Sequence, residues 1–172
     1  MKRACILVLL MIGSLIACKK DANETAYDKS YKAWQSFKIE SKNSYTYTVN
    51  AGSVFGYGSE TKITVQNGVV VGRDFLSYTL EQNPNSAPTK KIREQWHEDK
   101  TSLGQHNSGA ALLTLDHVYQ KAKTEWLAVD RKKNTIYFET NNNGLISGAS
   151  YVPNGCQDDC SIGISISEIK AL

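Results

Sequence analysis

Apolar and polar residues alternate in several short stretches of the chain, as in strands that bury one face. Tyr45, Tyr47 and Val49 share one face of the first such stretch. Residues 135–138 and 162–167 alternate in the same way, the second almost without interruption. These stretches predict strands of an antiparallel sheet whose other face is solvated.

Two Asn-Gly pairs divide the predicted strands into hairpins. Asn67-Gly68 lies between two β-branched runs, and both central positions of a type I′ turn need positive φ, which Asn and Gly tolerate. This turn would place Val65 opposite Val70. A second pair at 143–144 predicts another hairpin.

Residues 80–89 include Pro84 and Pro88 among polar residues, so we predict a loop there. The loop would lead into a strand over 91–97 and is a candidate recognition surface. The apolar run at 126–129 predicts a further strand.

Two segments have helical periodicity instead. In residues 26–38, aromatic residues recur along one stripe: Tyr27, Tyr31, Trp34 and Phe37. Thr114 can cap a second helix over 114–123, with an inner stripe of Leu115, Val118, Tyr119 and Ala122. The whole pattern predicts an α+β fold, an antiparallel sheet of about six to eight strands with two helices packed on one face.

Residues 1–17 predict a signal peptide, since a basic start precedes an apolar stretch that is too short to span a bilayer. Residues 15–18, Leu-Ile-Ala-Cys, look like the lipobox of bacterial lipoproteins. Cleavage would then fall between Ala17 and Cys18, and Cys18 would carry diacylglycerol and a fatty acid such as palmitate. The alternative is an ordinary signal peptide in which Cys18 is incidental.

Removal of the signal peptide leaves about 155 residues, enough for one domain with a single core. The polar residues 18–25 predict a lipidated flexible tether, and 26–172 predict a single α+β domain. The expected location is the cell envelope, at the outer membrane or cell surface. The expected partners are the membrane, through the N-terminal lipid, and another envelope protein.

The charge balance argues against nucleic acid as a partner. The chain has 20 basic and 17 acidic residues, and two of the basic residues leave with the signal peptide. Its densest basic runs, at 90–93 and 131–133, are short and have acidic neighbours, as on a solvated surface.

Cys156 and Cys160 are the cysteines that remain once Cys5 is removed and Cys18 is lipidated. In an exported protein this pair predicts a disulfide that pins a local turn. Zinc binding is the rival interpretation, but a structural zinc site needs four Cys or His ligands. A redox site is weaker still, because three residues rather than two separate the cysteines.

The order of several motifs resembles a known family. The lipobox is followed in the sequence by Trp34, Tyr45-Thr46-Tyr47, Val65 and Gly68, and then by the predicted helix that begins at Thr114-Leu115-Asp116. This order is similar to that of bacterial lipoproteins catalogued as a domain of unknown function. The resemblance covers residues 31–123 and implies a lipid-anchored, exported α+β module, and it assigns no activity and no catalytic residue.

No motif in the sequence specifies an enzyme. His97-Glu98 begins like a zinc-protease motif, but Thr101 stands where that motif needs its second histidine. Asp158 and Asp159 come nearest to a calcium site, yet Ca²⁺ takes about six to eight oxygen ligands. We therefore predict no catalytic residue, no metal site and no cofactor.

A non-enzymatic module that binds a protein or an envelope component is the expected function. Tyr57, Phe75 and Tyr78 are the candidate binding surface, because aromatic side chains dominate interface energies. One alternative is a hydrolase of envelope material, with a pocket that gathers His97 or His117, an acid and a nucleophile. The other alternative is a structural envelope protein.

The variant Cys18→Ser tests the predicted anchor. Because the acyl chains on Cys18 would be the membrane attachment, the variant should leave the membrane fraction and lose fatty-acid labelling. Cell fractionation with radiolabelled palmitate measures both. Unchanged membrane retention of the variant would contradict the prediction.

Overall fold

The computed structural model describes residues 21–83 and 86–172, so Ala17, Cys18 and the predicted signal peptide lie outside the described residues. The described part forms one antiparallel sheet with the strand order β4-β3-β2-β1-β7-β6-β5. Its elements are α1 (Ala22–Glu40), β1 (Tyr45–Gly52), β2 (Tyr57–Gln66), β3 (Val69–Asn83), β4 (Ser86–Glu98), α2 (Leu115–Lys121), β5 (Asn134–Glu139), β6 (Gly148–Pro153) and β7 (Ile162–Ala171). The predicted α+β class is confirmed.

Helix α1 begins at Ala22, inside the segment 18–25 that the sequence predicts as a tether. The Asp21 carboxylate caps the helix by accepting a hydrogen bond from the Asn23 amide at 2.8 Å. Asp21 also pairs with Arg131 at 2.9 Å. The Arg131 contact holds this helix start against the domain, so the polar composition that suggested a tether belongs to a capped helix start.

The predicted Asn-Gly hairpin forms as expected. Asn67 and Gly68 have φ of 50° and 78°, and Val65 lies opposite Val70. The turn is possible because both residues accept a left-handed backbone at low cost.

The loop predicted over 80–89 is wrong. Residues 80–83 continue β3, and residues 86–89 belong to β4. Pro88 is tolerated because β4 is an edge strand, where a missing amide donor breaks no ladder inside the sheet. The two strands therefore form one long hairpin that runs beyond the start of β2.

Helix α2 has the predicted cap, because the Thr114 side chain accepts a hydrogen bond from the His117 amide. The strand predicted over 126–129 is wrong. The helix continues as a π-helical turn, Ala122–Trp126, closed by a 2.9 Å bond from the Leu127 amide to the Ala122 carbonyl. This wider turn keeps Trp126 buried beside the sheet. The start of the apolar run 126–129 therefore contributes to the core as part of a helix and not as a strand.

The inner face of the sheet is the face that both helices cover, and it carries the main core. Its fully or almost fully buried side chains include Tyr45, Tyr47, Ile63 and Val65. Trp34 of α1 packs edge-on to Tyr45, with ring centroids 5.3 Å apart, and stacks on Tyr119 of α2 at 6.1 Å. The predicted aromatic stripe is thus a core contact, although Tyr31 remains 41% exposed.

The connection from β6 to β7 carries the two remaining cysteines. Cys156 and Cys160 lie at disulfide distance, with Cα atoms 6.3 Å apart. The predicted pairing is therefore supported. In the described part of the chain, no helix has the length and apolar character needed to cross a bilayer.

Replacing Trp34 tests the core. Trp34→Ala should lower the free energy of unfolding by about 3–5 kcal/mol, because it leaves a cavity between both helices and β1. Urea unfolding followed by circular dichroism measures the loss. Tyr31→Ala is the matched control on the same helix, and an equal loss in both variants would contradict the packing described.

Candidate functional site

A groove on the inner face is the best candidate site. The helices leave part of this face uncovered, and there a cavity of about 400 Å³ opens over the ends of β1, β2 and β7. Its floor includes Val49, Ala51, Ser59, Thr61 and Ile164. These side chains are small or aliphatic, so the floor is wide enough and apolar enough to receive a side chain or a short chain segment.

One wall of the groove is the end of the α2 region. Lys121 and Trp126 line it, and the Lys121 ammonium lies 5.7 Å from the Trp126 ring centroid. Lys121 also forms an ion pair with Glu125. This wall therefore consists of the Trp126 ring and, at its rim, the Lys121 ammonium, whose charge is paired with Glu125.

The opposite wall is the segment 99–113, which joins β4 to α2 and which we call the wall loop. Gly109, Ala110 and Ala111 of the wall loop line the groove. The Ala110 amide donates a 3.0 Å hydrogen bond to the Thr61 hydroxyl on the groove floor. A Cβ at Gly109 would lie 3.2 Å from the Phe75 and Trp96 rings, so glycine lets the loop pack closely on the sheet.

A buried ion pair holds the wall loop in place. Glu98 is completely buried, and its carboxylate accepts two hydrogen bonds from the Arg73 guanidinium at 2.9 and 3.0 Å. The same carboxylate accepts from the amides of Gly104 and His106 at 2.9 and 2.7 Å. Arg73 in turn donates to the carbonyls of His106 and Ala110 at 2.8 and 3.0 Å. One ion pair thus fixes the loop through its backbone.

These partners also set the charge state of Glu98. Hydrogen bonds from Arg73 and from the Gly104 and His106 amides hold the pKa of Glu98 far below its usual range, against the opposing effect of burial. Glu98 is therefore ionised at neutral pH, and Arg73 balances its charge. Both side chains also bond to the backbone of the wall loop, so displacement of the loop would leave the buried pair with fewer hydrogen-bond partners.

An aromatic stack completes the support of the loop. The rings of Trp96 and His106 are parallel, with centroids 4.3 Å apart, and Trp96 also stacks on Phe75 at 5.0 Å. The Arg73 guanidinium lies 4.7 Å from the Trp96 ring, and the Trp96 indole donates to Ser108 at 3.1 Å. Strand β4 and the wall loop are therefore packed together as one unit.

The sheet opens beside the groove. The ladder between β1 and β7 ends at Val49 and Ile166, although β1 continues to Gly52. Residues 162–165 of β7 pair with β6 instead. Residues 50–52 of β1 and 162–165 of β7 therefore face each other without pairing. Ala51 and Ile164, one from each segment, line both the groove and a second depression of about 530 Å³.

The candidate aromatic residues Tyr57, Phe75 and Tyr78 line one shallow depression of about 490 Å³, but Phe75 is a correction, because its ring is almost completely covered. Phe75 is 6% exposed, because it is packed under Trp96 and the wall loop. Tyr57 is 62% exposed. Tyr78 lies on the opposite face of β3 from Phe75, since their positions differ by an odd number. There its ring fills the space over Gly58 and contacts the Lys90 ammonium at 4.4 Å.

The histidines are separated from one another. His97 is exposed, with its Nδ1 at hydrogen-bond distance (2.7 Å) from an Asp74 carboxylate oxygen, and His117 contacts the Thr114 hydroxyl at 3.0 Å. None of the residues that line the groove is a histidine. The structure therefore does not gather His97 or His117 in this groove.

Asp158 and Asp159 lie on the exposed cysteine turn, and Asp159 accepts a 2.7 Å hydrogen bond from the Ser53 hydroxyl. Over residues 21–83 and 86–172, no three His, Cys, Asp or Glu side chains are grouped so that they could hold a metal ion. No protein-family model matches this chain, and no curated protein or solved structure is significantly similar to it.

Sequence reasoning missed the Arg73–Glu98 pair, although one signal for it was present. Both residues occupy positions that the strand alternation assigns to the buried face, where a charge needs a partner. Arg73 and Glu98 are 25 residues apart in the sequence, and local sequence patterns do not specify a contact between them.

The variant Glu98→Gln tests the role of the pair. Removal of one charge leaves Arg73 buried without its counterion, so unfolding free energy should fall by about 3–5 kcal/mol. Asp74→Asn, which removes an exposed ion pair with Lys62, is the control and should cost less than about 1 kcal/mol. Limited proteolysis should cut the wall loop of Glu98→Gln first. Equal stability of the two variants would contradict this role.

The pH dependence follows from the lowered pKa of Glu98. The ionised Glu98 carboxylate makes its full contribution to the free energy of unfolding above its unfolded-state pKa of about 4.3. This contribution declines as the pH falls towards the lower pKa of the folded state. Urea unfolding of wild type and Glu98→Gln between neutral and acidic pH should therefore show a stability difference that narrows below about pH 4. A constant difference across that range would contradict the assignment.

Proposed function

We propose that this chain is a lipid-anchored envelope lipoprotein whose inner groove binds an extended segment of another envelope protein. The lipobox-like residues ending in Cys18 and the resemblance to bacterial lipoproteins support the anchor. The groove supports the binding role.

The observation that carries the proposal is the opening between β1 and β7 beside an apolar groove. Strand edges that lack a neighbour can pair with an added peptide strand, and adjacent cavities can take alternate side chains. Residues 50–52 of β1 and 162–165 of β7 provide such edges. The groove of about 400 Å³ lies directly over them.

The walls of the groove support the same role. Segment 99–113 is held by the buried Arg73–Glu98 pair, and Trp126 is held by the core. A groove with fixed walls loses little conformational entropy when a ligand binds, which favours affinity. Its lining offers apolar contact and one rim lysine, Lys121, so a largely apolar segment fits it better than a charged one.

A bulky side chain in the groove tests this proposal. Ala111 is exposed and lines the groove, so Ala111→Trp should fill the cavity without disturbing the core. Ala87→Trp, at an exposed position of β4 outside the groove, is the matched control. The measurement is cross-linking of intact cells, followed by purification of each lipidated variant and mass spectrometry.

The expected result is a partner that wild type and Ala87→Trp recover equally and that Ala111→Trp recovers about tenfold less, since a blocked central pocket removes the main binding contacts. Equal recovery by all three proteins would contradict binding in the groove. Failure of all three to recover any protein would favour a structural envelope role instead.

A further inference from the structure

The turn between β1 and β2 carries two adjacent apolar side chains in solvent. Val54 and Phe55 are each 76% exposed, and Tyr57, just beyond the turn, is 62% exposed. Single exposed apolar residues are common, but consecutive ones at a projecting tip are typical of a contact surface. Within the domain, neither side chain is covered.

The turn is held firmly in this arrangement. The Ser53 amide donates to the Tyr57 carbonyl at 2.9 Å, and the Gly56 amide donates to the Ser53 carbonyl at 3.1 Å. The Leu80 amide of β3 donates to the Gly56 carbonyl at 2.8 Å, and the Ser53 hydroxyl donates to Asp159 at 2.7 Å. The exposed pair is thus presented by a turn that is fixed from two sides.

Hydrogen bonds connect this turn to the start of α1. Asp21 pairs with Arg131 at 2.9 Å, and the neighbouring Lys132 carbonyl accepts from the Asn154 side chain at 3.0 Å. Asn154 begins the segment that contains Asp159, the partner of Ser53. The helix start and the β1–β2 turn therefore lie at the same end of the sheet, because β1 and β6 finish there.

This placement limits the distance to a membrane, given the lipid anchor of the proposed function, on which this inference rests. Cys18 precedes Asp21 by three residues, and three residues span at most about 10 Å. Because α1 begins at Ala22, no long tether separates the domain from a lipidated Cys18. The end of the sheet that carries Val54 and Phe55 must then lie close to the bilayer.

We propose that Val54 and Phe55 insert into the interfacial region of the bilayer beside the lipidated cysteine and so fix the orientation of the domain. The charges at this end do not favour an anionic surface, since residues 131–133 are basic but Asp130, Asp158 and Asp159 are acidic. Apolar contact therefore drives the insertion, and neutral lipids suffice.

The long β3–β4 hairpin also reaches beyond this end of the sheet. Although Leu80 and Ile92 of this hairpin are 40% and 56% exposed, most of its described tip residues are polar, and Lys91 pairs with Glu81 at 2.8 Å. These side chains remain hydrated among the headgroups. An insertion of Val54 and Phe55 thus predicts a lipid-protected turn next to a water-exposed hairpin.

Fluorescent probes at single cysteines test the orientation. The mature acylated protein is labelled with the fluorophore NBD at Phe55→Cys and reconstituted into neutral phosphatidylcholine vesicles containing nitroxide-labelled lipid. Val69→Cys is the matched control, because Val69 is also exposed, at 63%, but lies in the hairpin at the other end of β2. Ala87→Cys reports on the β3–β4 hairpin.

We expect a blue-shifted emission and several-fold stronger nitroxide quenching at position 55 than at positions 69 and 87. Equal quenching at 55 and 69 in vesicle-bound protein would overturn the inference and leave the anchor intact. A probe at 55 that is already protected without vesicles would also overturn it, by indicating a protein contact. Absence of an acyl group on Cys18 would overturn both the anchor and the inference.

Discussion

Buried tyrosine hydroxyl groups hold the helical layer on the sheet. Tyr45 and Tyr47 project from β1 and bond to the segment that leads into α2: the Leu115 amide donates to Tyr45 at 2.8 Å, and Tyr47 donates to the Leu113 carbonyl at 2.6 Å. Burial raises the pKa of both phenols, so they stay neutral in the core. Tyr119 bonds from α2 to the Ile146 amide at 3.0 Å. Each hydroxyl satisfies a backbone group that would otherwise be buried without a partner.

The position of the groove depends on these bonds. Since α2 is fixed at its start by Tyr45, the π-helical turn that follows places Trp126 as one wall. The opposite wall depends on Arg73 and Glu98, which bind the backbone of segment 99–113. The groove is therefore framed by two different kinds of buried polar contact, and both connect side chains of the sheet to the backbone of the covering layer.

The sequence predicted the elements whose signals are local. The strand alternation at Tyr45, the Asn67-Gly68 turn and the Thr114 cap all depend on neighbouring residues, and all three are confirmed. The errors at 80–89 and 126–129 arose where tertiary context decides the structure. Pro88 is compatible with a strand only because β4 is at an edge, and Trp126 is helical because α2 continues into the core. The groove was not predictable, since it needs the Arg73–Glu98 pair and the separation of β1 from β7.

Amide hydrogen exchange at Leu115 and Ile146 tests the central role of the tyrosines most directly. The Leu115 amide is in the first turn of α2, where helical amides have no partner within the helix and normally exchange fast. If Tyr45 accepts from it, exchange measured by NMR should be as slow as in the core strands, and the Ile146 amide bonded to Tyr119 should be equally protected. Exchange at both amides as fast as in exposed turns would contradict the account.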